Sequence, residues 1–193
     1  MQTRSLMATA VGLMALIGGA GNALAQTNWV WGDIGAVTIS GSTTYTQTSG
    51  GYSLVSSGNG IWGTADAFQF MSQTLSGDMQ ITARLVSQQE DDPWAKAGLM
   101  LRQSTDPSSL FAFTFSTPAN GINFQTRTSA SGLPNSQLQG VGSAPKWLRL
   151  IRSGQYLLGY RSEDGVTWNH PTAEQLLLNG PFLAGLAATS RKD

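Results

Sequence analysis

The chain contains no cysteine, which excludes a disulfide framework and any chemistry that runs through a thiolate. It has a single histidine, His170, set before Pro171, so paired-imidazole zinc sites and a histidine-activated nucleophile lack their parts. No Gly-x-Ser-x-Gly elbow is present either. Charge is equally scarce: Asp, Glu, Lys and Arg make up 11% of residues, 11 of each sign, with no basic run. Nucleic acid demands a concentrated positive footprint to neutralise phosphates, so nucleic acid is not an expected partner. Adsorption to a membrane surface needs an amphipathic basic helix, and none can be read here.

Long apolar runs are missing too. The longest useful one, Leu6 to Ala20, spans roughly 15 residues, the range of a signal-peptide core, whereas a membrane span needs about 20. Arg4 precedes it, Gly18, Gly19, Gly21 and Asn22 weaken its end, and Ala23-Leu24-Ala25 gives a small-x-small cleavage pattern. Residues 1–25 therefore read as a signal-peptide helix cleaved after Ala25, and the protein as secreted or periplasmic, with no membrane attachment after cleavage. Loss of Arg4 leaves residues 26–193 with one acid in excess. Without disulfides, this domain must take its stability from a core, and its length suffices for one.

What the chain does have is period-2 alternation. Met79, Ile81, Ala83 and Leu85 alternate with Gln80, Thr82 and Arg84. Phe111, Phe113 and Phe115 alternate with Ala112, Thr114 and Ser116, and Ile122, Phe124 and Thr126 with Asn123, Gln125 and Arg127. Such patterns send one set of side chains to a core and the other to solvent. Ser153-Gly154 and Asp164-Gly165 supply hairpin signals, the latter dividing Tyr160–Ser162 from Val166–Trp168, and Asn120-Gly121 divides two further strands. Thr128 to Gly142 reads as a long loop or a weakly paired edge, and Ala173 to Leu178 as either a helical turn or a strand. With no helical period after Ala25, the expectation is one all-β domain, a two-sheet antiparallel sandwich.

Several blocks occur in a recognisable order: Asp33-Ile34-Gly35, Trp62 to Phe70, Gly77-Asp78, Trp94 to Arg102, Thr117 to Phe124 and Trp147 to Trp168. In this the chain resembles the DUF1349-like group of the concanavalin A-like lectin/glucanase superfamily, which are bacterial secreted domains. The resemblance implies a jelly-roll sandwich of two curved antiparallel sheets, often found beside glycan-active or adhesive modules. It also implies a short acidic loop and one more strand after Phe182–Ser190, where this sequence stops at Asp193. Two expectations follow: either the domain is C-terminally truncated, with one strand edge left unpaired, or a different segment closes the sheet.

Catalytic members of that superfamily carry paired acids at alternate positions of one strand. No strand here has a Glu-x-Asp-x-Glu arrangement, and Glu90 and Asp92 precede Pro93, which suits a loop. No catalytic residue is assigned, although a glycoside hydrolase using Glu90 and Asp92 stays as one alternative and a structural or adhesive protein-interaction module as another. Gly58-Asn59-Gly60-Ile61-Trp62-Gly63 fits G-x-G-x-x-G, but that fingerprint needs a following helix, and Thr64 to Phe70 reads as a strand. No cofactor is expected. Calcium on Glu90, Asp91 and Asp92 is conceivable, but the spacing does not fit an EF-hand, so the loop reads as solvated and balanced by Lys96 and Arg102.

Carbohydrate binding needs flat aromatic faces and planar polar groups. Trp94, Trp168, Tyr156 and Tyr160 are the available platforms, and Asp91, Asp92, Arg102, Asn123, Gln125 and Arg127 the available hydrogen-bonding groups. Trp62, Phe68, Phe70, Phe111, Phe113 and Phe115 are expected in the core. The leading expectation is a non-catalytic, lectin-like domain whose partner is a carbohydrate polymer or cell-surface glycan.

Overall fold

The computed structural model describes residues 14–18, 29–46 and 50–192. All regular elements among them are strands, and all pairings are antiparallel. They run β1 (Met14–Gly18), β2 (Val30–Ile34), β3 (Ser42–Thr46), β4 (Gly51–Val55), β5 (Phe68–Leu75), β6 (Met79–Leu85) and β7 (Lys96–Arg102). Then come β8 (Phe111–Ser116), β9 (Ile122–Arg127), β10 (Asn135–Gly140), β11 (Lys146–Ser153), β12 (Tyr156–Ser162), β13 (Thr172–Gln175) and β14 (Phe182–Thr189). A seven-stranded sheet has the order β10-β9-β8-β7-β14-β5-β2, a five-stranded sheet the order β1-β6-β11-β12-β13, and β3-β4 form a hairpin.

The two large sheets face one another across an apolar core. Met71, Leu99, Leu101, Ala112, Phe124, Ala184 and Leu186 come from the larger sheet, and Met79, Ile81, Ala83, Leu148, Leu150 and Leu157 from the smaller. This is a β-sandwich. On β6 the expected alternation holds: Met79, Ile81, Ala83 and Leu85 are buried while Arg84 is exposed.

The large sheet departs from that pattern. Every residue of β7, β8 and β9 is buried, so both faces are covered. The second face carries its own apolar cluster of Ile34, Phe68, Phe70, Met100, Phe111, Phe113 and Phe115, roofed by Ile61. The roof is the loop from Ser56 to Ala67, which has almost no regular structure of its own beyond the Gly60–Ala67 bridge. The alternating polar residues of β9 therefore lie under a roof rather than in bulk solvent.

Elsewhere the structure decides what the sequence left open. Within Thr128–Gly142, β10 forms an edge strand on β9, with a bulge between Leu138 and Gly140. Gly121 (φ +72°) makes the turn before β9, where any Cβ would stand 2.3 Å from the Gly140 carbonyl oxygen. In the segment around Ala173, Thr172–Gln175 pair with β12, after which Leu176 and Leu178 turn into the main core. Asp164-Gly165 does turn, but Val166–Trp168 do not form the expected return strand. The Asp164 carboxylate instead accepts hydrogen bonds from the Val166 and Thr167 amides, an Asx-type turn that takes those donors out of any ladder.

Of the expected leader, only Met14–Gly18 belong to the described residues, where they pair with β6 as an edge strand. The rest of the helix expectation, and the cleavage position after Ala25, lie outside the described residues. The final strand, β14, is not an edge: β7 and β5 pair with its two sides.

Candidate functional site

The strand register brings the relevant side chains onto the outer face of the seven-stranded sheet. Phe115 pairs with Asn123 and Gly98, Phe113 with Gln125 and Met100, and Phe111 with Arg127 and Arg102. These nine positions share one face, because alternate residues of a strand point the same way. Lys96 continues the same set on β7, opposite Thr189 of β14.

One end of this face is closed by charge. Asp66, from the roofing loop, receives Arg127 Nη1 at 2.8 Å and Nη2 at 2.6 Å, and Arg102 Nη1 at 3.2 Å. The remaining guanidinium donors are spent on backbone carbonyls. Arg102 donates to the Ser104 and Asp106 oxygens, and Arg127 to those of Gly63, Ser109 and Gly132. Arg102 also lies over the Phe68 ring and Arg127 over the Phe111 ring. Both arginines are fully buried. Expected as ligand-binding groups, they are instead the internal fastening of the roof, since a guanidinium whose donors are already taken has none to offer a ligand.

The other end is open. Lys96, only 4% exposed, donates from Nζ to the Ile61 carbonyl and to Gln125 Oε1, both at 2.7 Å. Gln125 Nε2 donates to the same Ile61 carbonyl at 2.9 Å. The amine lies 4.8 Å from the Phe115 ring centre and 5.4 Å from that of Trp62. Burial, and secondarily the charge of Arg191, push the Lys96 ammonium down to about 7, with the Asp66 carboxylate opposing the shift.

Above Lys96 is a pocket of about 390 Å³, whose walls include Trp62, Trp94, Phe115, Asn123, Gln125, Leu138 and Arg191. A second hollow of about 350 Å³ adjoins it and shares Trp94, Asn123 and Leu138. Together they form a groove with Trp94 at its waist. Trp62 is 55% exposed, Trp94 43% and Leu138 63%, so the groove presents two indole rings to solvent.

Of the residues expected at a binding site, the structure unites Trp94, Asn123 and Gln125 in this groove. Asp91 and Asp92 belong to the loop before Trp94 and line neither hollow; Asp92 Oδ1 accepts the Trp94 amide instead. Trp62, expected in the core, is at the mouth, because its neighbour Ile61 takes the inward place. Trp168 and Tyr160 pack edge to face on the five-stranded sheet, and the Arg149 guanidinium covers Trp168 at 3.7 Å. Tyr156, also on that sheet, is exposed. Leu138 and Arg191 escaped the sequence reading, and Lys96, expected with Arg102 to balance the acidic loop, is instead buried on this face, as Arg102 is; the one available signal was that the two fall on the same side of a single strand.

Among the described residues no three His, Cys, Asp or Glu side chains converge as a metal site, Glu90, Asp91 and Asp92 included. No described helix is long and apolar enough to cross a membrane.

The molecule is thus an all-β sandwich with an aromatic, cation-bearing groove on the outer face of one sheet. It matches no family model and no curated protein. It is similar to a solved structure described as a functionally unknown protein from Saccharomyces cerevisiae, at 15% identity and a TM-score of 0.58, covering 86% of this chain and 87% of that one. At this identity the likeness concerns the fold alone.

Proposed function

We propose that this chain is a non-catalytic, lectin-like domain of jelly-roll type, exported by a cleaved leader, that binds carbohydrate polymers or cell-surface glycans in the groove around Trp94. One observation carries the reading: Trp62 and Trp94, two large rings that a sandwich would ordinarily bury, stand about half exposed on the same groove above planar amides. Sugar rings offer C–H faces to indoles and hydroxyls to amides, and a site for them combines apolar walls with a few placed polar groups. Asn123, which lines both hollows, is fixed in orientation to meet a hydroxyl, while Gln125, fully buried with both ends of its amide taken, serves as wall. Asn123 Nδ2 donates to the Asn120 carbonyl, and the Gln125 amide is held between Lys96 and Ile61. The exposed Trp94 at the shared wall gives the groove two compartments, which suits a polymer better than a single sugar.

The reading is tested by retention on a panel of insoluble polysaccharides and by affinity electrophoresis in soluble ones. Trp94→Ala and Trp62→Ala should each weaken retention about tenfold, the effect of losing roughly 1.4 kcal/mol. Both rings are substantially exposed, so the variants should unfold within about 1 kcal/mol of the parent. Undiminished retention by both variants, or none by the parent, would overturn it.

A further inference from the structure

We infer that the groove selects acidic polysaccharides, with the carboxylate of a uronate-type sugar received between Lys96 and Arg191. This rests on the carbohydrate reading and specifies its ligand class.

The argument is one of charge accounting. The walls of the main hollow carry two cationic side chains, Lys96 and Arg191, and no acid. Lys96 is buried against neutral acceptors only, the Ile61 carbonyl and the Gln125 amide oxygen. An ammonium has three hydrogens, so one is left without a protein acceptor. Asp66, behind the hollow, is shared by two arginines, which leaves that cluster positive. Asp106 lies beyond them, its carboxylate accepting from Ser108. Glu90, Asp91 and Asp92 are on the loop outside the groove.

Arg191 is placed deliberately near this amine. Its side chain runs past Gly60, where a Cβ would lie 3.4 Å from Arg191 Cγ. Its backbone has a left-handed φ of 59°, held by hydrogen bonds from the Arg191 amide to Thr189 Oγ1 and between Ser190 and Lys192. Arg191 forms no ion pair among the described residues. Arg191 and Lys96 line the same hollow. A buried ammonium and an exposed guanidinium on the walls of one hollow make a receptor for one anion, whose arrival satisfies both. The indoles beside them favour an anion carried on a sugar ring over a bare one.

The test measures binding of the full chain to polygalacturonate, alginate, hyaluronan and polysialate, each beside its carboxyl-reduced form, with neutral polysaccharides and poly-L-glutamate as further probes. The expected result is at least one acidic polymer bound about tenfold or more tightly than its reduced form. That preference should shrink as salt rises, and fall toward unity in Arg191→Gln, an exposed position where folding is not at stake. Lys96→Met, checked by circular dichroism, should do the same. Equal binding of native and reduced polymers, or of neutral ones alone, would overturn the inference and leave the carbohydrate reading standing. Equal binding of poly-L-glutamate would overturn its restriction to sugars. Retention on no polysaccharide would remove the carbohydrate reading itself.

Discussion

At the scale of single residues, the two buried cationic clusters behave differently. Asp66 is the sole anion joining Arg102 and Arg127, and burial already pulls Arg102 below the usual guanidinium range. Replacing it leaves two guanidinium charges without a counter-ion in the interior. Asp66→Asn should therefore cost about 3–5 kcal/mol, read from the denaturant midpoint, and a loss below 1 kcal/mol would contradict the fastening role. Lys96 has a pH signature instead. Its folded-state pKa is lowered to about 7 from 10.5, so between those values the unfolded chain holds a proton that the folded chain does not. Stability contributed by this group rises with pH across that window and is lost as pH falls through about 7. Denaturant midpoints of Lys96→Met and the parent, compared at intervals across it, should show the parent climbing more steeply. Parallel curves would rule out a depressed Lys96.

The elements show where sequence reading succeeds and where it stops. Strands β6, β8 and β9 were legible because alternation is local: each residue's neighbour two positions along reports the same face. The destination of each face was not. Phe111, Phe113 and Phe115 point away from the sandwich core, into a second cluster roofed by residues from a loop without periodicity. Arg102 and Arg127 read as exposed hydrogen-bonding groups because the partner that buries them, Asp66, is 36 and 61 residues away. Trp62 read as core because Ile61-Trp62 is one apolar block, and only the path of the loop decides which of the two faces inward. Trp94, Asn123 and Gln125 were each named from the sequence, but that they line one groove depends on the pairing of β7, β8 and β9, which brings together residues about 30 apart. The roof itself is held to the end of β14 by Thr189, whose hydroxyl donates to the Gly58 carbonyl at 2.9 Å, and by the Gly58 amide, which donates to Lys192. Thr189→Val leaves that buried carbonyl without its partner. Amides of residues 56–67 should then exchange with deuterium faster while those of β7 and β8 keep their rates; unchanged exchange in the loop would contradict the tether.

At the scale of the molecule, one sheet serves two apolar clusters, one on each side. Disruption of that sheet removes both, so unfolding should be a single transition by fluorescence and by circular dichroism alike. With no cysteine in the chain, it should be indifferent to reducing agents. The all-β class and the sandwich were legible from turn spacing and composition, since these depend on how often the chain must reverse. The sheet order was not, because it depends on pairings between distant segments.

The position of β14 has a temporal consequence. It lies between β5 and β7, joining Gln69–Leu75 on one side to Lys96–Arg102 on the other. During synthesis those two strands emerge early and wait as raw edges, with nothing to join the halves until Phe182–Thr189 leave the ribosome. Arg191 emerges later still. Until β14 has docked, the groove lacks Arg191, and the two waiting edges are where a chaperone, or a second nascent copy, would first take hold.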